Sequence, residues 1–115
     1  MSITRIDPGP RMSDAVIHGN TIYLAGQIGT PDASVTQQTQ EVLAAIDALL
    51  ARCGSGKSKI LSATIWLADI STFAEMNAVW DAWVDKDNPP ARATSEGKLA
   101  APGYKVEIIV VAAKD

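Results

Sequence analysis

One cysteine, one histidine and one phenylalanine stand in a chain of 115 residues, and each scarcity removes a class of function. Cys53 alone cannot form an intramolecular disulfide, so the chain suits a reducing compartment without requiring one. Cys53 and His18 lie far apart without clustered carboxylates, and together make neither a recognisable zinc site nor an evident Cys-His nucleophile. Basic runs are missing too. Ten Lys and Arg against thirteen Asp and Glu, with a pI near 5.0, leave no footprint for a phosphate backbone, so no nucleic-acid partner is expected. No stretch approaches the roughly 18 uninterrupted apolar residues of a membrane span, and MSITRIDPGPRM lacks the apolar core of a signal peptide. The expectation is a cytoplasmic protein with no membrane partner.

What is present is enough for one domain, residues 1–115, burying about two-thirds of the surface of its unfolded chain. Ala15–His18 and Thr21–Ala25 flank Gly19-Asn20 and predict a hairpin, with His18 as a surface turn residue. From Ser34 the period changes: Val35, Val42, Ile46 and Leu49 at helical spacing, a Ser34-x-x-Gln37 capping box and a Gly54 stop predict a helix of about five turns. Cys53 at its end reads as a small packed hydrophobe. Ile60–Leu67 reads as a strand, and the preceding GSGKS is no phosphate loop, because its glycines follow a helix and precede a strand. A second helix begins near Ser71-Thr72, with Thr72-x-x-Glu75 as a capping box and Phe73, Met76, Trp80 and Trp83 as a core stripe. Asn77 borders that stripe and needs a polar partner. Strands over Ala91–Leu99 and Tyr104–Ala112, and a short strand before Pro8, complete a ββ-α-β-α-ββ order.

The last strand, Val106-Glu107-Ile108-Ile109-Val110-Val111, is apolar on both faces except at Glu107. Such a strand belongs to a sheet covered on both sides. Two helices cover one side, and the simplest cover for the other is another copy of the chain. Glu107 shares its face with Ile109 and Val111. It is either a strand-end glutamate, paired with Lys105 or capping a loop amide, or a carboxyl in an apolar, oligomer-facing pocket, where loss of water fits it for proton transfer. Arg92 follows Pro89-Pro90, whose fixed φ imposes an extended approach, and small Ala91 and Ala93 flank it. A solvated arginine is the default reading; against it, with Thr94 on the same strand face, the planar fork matches one small carboxylate.

Gly26-Gln27 after a strand, the helix ending near Cys53-Gly54, "ATIWLADISTFAEMNAVWDAW", "NPPARAT" and "YKVEIIVVA" resemble, in that order, the Rid (YjgF) family of enamine/imine deaminases. The N-terminal region is most similar to its divergent, YoaB-like branch. The match runs along nearly the whole chain, and its most specific parts are the Pro-Ala-Arg ending at Arg92 and the Val-Glu-Ile around Glu107. The resemblance implies a chorismate-mutase-like α+β fold, a mixed sheet with two helices on one face. It also implies a homotrimer with ligand clefts between subunits. The implied reaction is hydrolysis of reactive 2-imino acids, released by pyridoxal-phosphate enzymes, to 2-keto acids and ammonia, with no cofactor of the protein's own.

Carried over by position, Arg92 clamps the substrate carboxylate, the Thr94 backbone N–H supports it, and Glu107 orients or activates water. Gly26 allows close approach to the ligand, and Asn77 corresponds to the family's helix asparagine near the cleft. Met12 stands where typical members have a cleft-lining tyrosine, and Ala25 where they have serine; each exchange removes a hydroxyl. That loss motivates the alternative, a non-catalytic trimer binding small carboxylate metabolites or partner proteins. A ribonuclease, the family's older label, finds little support in one histidine and an acidic balance.

Overall fold

The computed structural model describes residues 2–115. Six strands form one sheet in the order β1-β2-β3-β6-β4-β5: β1 (Ile3–Ile6), β2 (Ala15–His18), β3 (Thr21–Leu24), β4 (Ile60–Leu67), β5 (Ala91–Glu96) and β6 (Val106–Ala113). Helix α1 (Val35–Arg52) connects β3 to β4, and α2 (Phe73–Trp83) connects β4 to β5. The β4–β5 pair is parallel and the other pairs are antiparallel. The α+β class and mixed sheet are as the sequence predicts, and β1 supplies the strand before Pro8. No helix among the described residues is long and apolar enough to cross a membrane.

Alternation along β6 sets the two faces of the sheet. Val106, Ile108, Val110 and Ala112 are buried with Ile22, Leu24, Ala63, Ile65 and Leu67 under apolar residues of α1 and α2. Glu107, Ile109 and Val111 point to the opposite face and are half-buried. Tyr23 pairs across from Val111 and Trp66 across from Glu107, so both share that face; Tyr23 is 49% exposed. Both helices cover the first face, and the second is open.

α1 forms where its caps and periodicity put it. The Ser34 Oγ accepts from the Gln37 N–H at 3.0 Å. At the other end Ser55 N–H donates to Leu50 C=O and Gly54 N–H to Ala51 C=O, with Gly54 at φ +77°. This Schellman arrangement needs the left-handed conformation that glycine adopts freely. Cys53 is buried beside it, and loss of hydration pushes its thiol up.

Four expectations are corrected. Thr72-x-x-Glu75 is not a capping box: a short 3₁₀ turn, Ile70–Thr72, precedes α2, and the Thr72 hydroxyl donates back to Asp69 C=O. Glu75 instead accepts from both the N–H and the hydroxyl of Thr36, at 3.0 and 2.9 Å, capping α1 from the neighbouring helix. The stripe on α2 is core only in part, since Met76 and Trp80 are buried while Phe73 is 41% exposed. The last two strands are offset from Ala91–Leu99 and Tyr104–Ala112, because buried Gln38 pins the connecting loop. Its Nε2 donates to Gly103 C=O and its Oε1 accepts from Lys105 N–H, both at 2.9 Å. Finally, β3 stops at Leu24, one residue short of Ala25.

Candidate functional site

Pro89-Pro90 follows a closed turn in which the Asp85 carboxylate accepts from Asp87 N–H, Asn88 Nδ2 and Ser58 Oγ. β5 then starts at Ala91 as the outermost strand. Its register sets Arg92 beside Ala63 and Thr94 beside Ile65, so both belong to the helix-covered face. Arg92 Nη1 donates to Asn77 Oδ1 at 2.8 Å. The guanidinium carbon lies 5.2 Å from the Trp80 ring centroid and 5.7 Å from that of Phe73, within cation–π range.

No carboxylate pairs with Arg92 among the described residues; the ion pair present there joins Arg52 to Asp7. A guanidinium half-buried between two aromatic rings, with one nitrogen held by an amide, keeps donors for an added anion. The Thr94 Oγ1 is buried with no hydrogen-bond partner among the described residues. Gly97 N–H donates to Leu67 C=O, and alternation along the strand therefore turns the Thr94 N–H away from β4, to the free edge of the sheet.

Glu107, Gly26 and Ala25 form a second group. Ala25 N–H donates to Asp14 C=O, which ties the segment after β3 to the residues preceding β2, two positions beyond Met12. Met12 itself is 55% exposed. Gln27 and Ile108 exchange backbone hydrogen bonds at 3.0 and 3.2 Å, bringing Gly26 against the Glu107 side chain. Within one chain the space over Gly26 holds the Glu107 carboxylate.

The sheet separates the two groups. Arg92, Thr94 and Asn77 are on the helix side, whereas Glu107 is on the open face. Strand β4 stands between β5 and β6, so the residues meant to share a cleft do not meet within one chain. Sequence reasoning assigned Phe73 and Trp80 only to the core and missed their stacking on Arg92. Their spacing around Asn77 was visible, but the β4–β5 register that slides Arg92 beneath them is non-local. A cavity of about 510 Å³ between α1 and α2, lined by Leu43, Ala44, Ala78, Val79 and Ala82 among others, includes none of these residues. Among the described residues no group of three or more His, Cys, Asp or Glu could hold a metal ion.

Known proteins align with most or nearly all of this chain. The RutC family protein YoaB of Escherichia coli (strain K12) is 52% identical over 113 residues, 98% of this chain and 99% of its own. More distantly, a Bos taurus protein named 2-iminobutanoate/2-iminopropanoate deaminase is 32% identical over 107 residues, 87% of this chain and 77% of its own. The crystal structure of a YjgF family member from Neisseria meningitidis superposes with a TM-score of 0.97 at 44% identity, covering 100% of this chain and 97% of the other. Because the profile of the family described as Endoribonuclease L-PSP matches residues 2–114 as well, the chain belongs to that family, the YjgF proteins.

Proposed function

We propose that the protein hydrolyses 2-imino acids to 2-keto acids and ammonia, at sites completed by a second copy of the chain. The observation that carries this is Arg92: half-buried, oriented by Asn77, walled by Phe73 and Trp80, and without a carboxylate of its own. A substrate carboxylate supplies the missing partner, with the Thr94 N–H as a further donor. The activity named for the bovine relative is consistent with such a ligand. Glu107 faces the open side of the sheet, so a copy packed there, as in the homotrimer that the family resemblance implies, brings one chain's Glu107 toward another chain's Arg92. Water then adds to the imine carbon while Glu107 takes its proton. Glu107 returns that proton to the carbinolamine nitrogen, and as the C–N bond breaks it takes the hydroxyl proton in turn, so the C=O of the 2-keto acid forms and ammonia leaves. A protonated imine is already electrophilic, so placing the carboxylate and one water accounts for most of the required acceleration.

The test is keto-acid and ammonia release while a pyridoxal-phosphate dehydratase generates imine in the same solution. Wild type should accelerate release. Glu107→Gln should lower turnover by about a hundredfold or more, and Arg92→Ala should weaken binding of a small 2-keto acid by about ten- to a hundredfold, the loss of one charge-assisted hydrogen bond. The separation of Arg92 from Glu107 within one chain favours a second reading, a non-catalytic binder of small carboxylates. Keto-acid binding that requires Arg92, with release indifferent to Glu107→Gln, would establish that reading and refute the first.

A further inference from the structure

The backbone around Gly26 is irregular. Tyr23 pairs with Val111 and Gln27 with Ile108, so Leu24, Ala25 and Gly26 lie opposite Val110 and Ile109, three residues against two. One extra residue on one strand is a β-bulge, which kinks the chain and re-aims the side chains around it. Gly26 sits in the bulge. It is not among the glycines at positive φ, which are Gly19, Gly54 and Gly103, so backbone conformation does not demand glycine there. Space does. A Cβ on Gly26 would overlap Glu107 Oε2 and come within 2.9 Å of Cδ and 3.2 Å of Cγ.

The geometry points to Gly26 as the positioning residue of Glu107. The bulge and the missing side chain form a seat that the carboxylate fills, and the seat sets where the acid stands on the open face. Across the strand Trp66 flanks Glu107 from the other side, and its ring packs over Gly97, where a Cβ would lie 3.1 Å from Trp66 Cε3. The ring therefore leans toward β5, while the carboxylate leans toward Gly26. An alanine at 26 leaves the fold intact, because the group it strikes is the far end of a flexible side chain. Glu107 must then swing to another rotamer, which moves its oxygens off their present position. The placement of the proposed acid thus depends on a residue that need not touch substrate. This inference rests on Glu107 acting as proposed above only for its kinetic consequence; the seat itself is a property of the folded chain.

The experiment is a double-mutant cycle of Gly26→Ala and Glu107→Ala with two readouts. The first is the denaturation midpoint, which needs no activity. Gly26→Ala should lower it when Glu107 is present and leave it unchanged in the Glu107→Ala background. The second is imine hydrolysis, where Gly26→Ala should reduce kcat by about ten- to a hundredfold while KM, governed by Arg92, stays within about threefold. Gly26→Ala combined with Glu107→Asp, whose shorter side chain withdraws from the new methyl, should recover the midpoint lost in Gly26→Ala alone. Equal midpoint losses with and without the Glu107 side chain would overturn the seat. Coupled midpoints with an unaltered kcat would leave the seat standing and remove Glu107 from the chemistry, which separates the failure of this inference from that of the deaminase reading.

Discussion

Replacing Gln38 by leucine tests how the carboxylate-bearing strand is held. Gln38 is fully buried, and its amide makes three hydrogen bonds: to Ala33 C=O at 3.0 Å, to Gly103 C=O at 2.9 Å and from Lys105 N–H at 2.9 Å. Leucine fills the volume and deletes all three. Gly103 C=O keeps its bond from Asp32 N–H, but the Lys105 N–H loses its acceptor. Three neutral bonds at about 1 kcal/mol each, plus about 1–2 kcal/mol for the stranded donor, predict a loss of about 4–5 kcal/mol. That is a large part of a typical domain stability of about 5–15 kcal/mol. With a urea m-value of about 2 kcal/mol/M the midpoint falls by about 2 M at fixed protein concentration. Gln38→Glu gives the sign in a second way. A carboxylate would face two carbonyl oxygens, so the buried acid is raised and must be protonated to donate. Its contribution is therefore fully present below the unfolded value and lost as pH rises through the folded one. A leucine variant within about 1 kcal/mol of wild type, or a glutamate variant whose stability deficit does not grow with pH, would refute the reasoning.

The open face gives a second prediction. Ile109→Glu places a charge in the middle of the uncovered apolar row, and should weaken self-association by about a hundredfold or more at each contact, from about 1.5–3 kcal/mol of lost burial together with charge desolvation. Sedimentation velocity reads this directly, and a wild type that sediments as a monomer at micromolar concentration rules out the composite site. The third concerns acid. Thr30 N–H and hydroxyl donate to Glu41, and the backbone bond from Thr30 holds its carboxyl below the ordinary 4.5. A lowered folded value stabilises above the unfolded value and is lost as pH falls through the folded one. Wild type and Glu41→Gln should therefore have similar stability in strong acid, diverge as pH rises toward about 4.5 and stay apart above it, with wild type the more stable; curves parallel throughout would contradict the assignment.

The parts of the molecule that follow from short-range rules were legible before the structure. The Ser34 cap, the Gly54 stop and the Ile60–Leu67 strand depend on residues within a turn or a run of each other, and they stand where the spacing put them. The α2 capping box was misread for the same reason. Thr72 and Glu75 have the right separation, but Glu75 finds Thr36, which is 39 residues away in sequence, and no local pattern encodes that choice. The site divides likewise. Arg92 could be singled out from its prolines, and Glu107 from its apolar strand. That they occupy opposite faces depends on β4 standing between their strands, a matter of sheet order. The bulge at Ala25–Gly26 is legible only after β3 and β6 are aligned.

Sheet order also explains why covering the open face and completing the proposed site would be one event. The face needing cover carries Ile109, Val111 and Tyr23, and the same face carries Glu107. A carboxylate among apolar groups is costly to bury unless it gains hydrogen-bond partners, so an interface built only for stability would place an apolar residue at position 107. Arg92 presents the reciprocal case, a cation with stacking and one amide contact but no counter-charge among the described residues. Each group is incompletely satisfied within one chain, and an interface that lets both reach one substrate satisfies both: the substrate carboxylate neutralises Arg92, and a bound water gives Glu107 its donor. The Gly26 seat belongs to the same economy of position. It fixes one acid on one chain, so that the register of packing between copies alone decides its reach to the arginine.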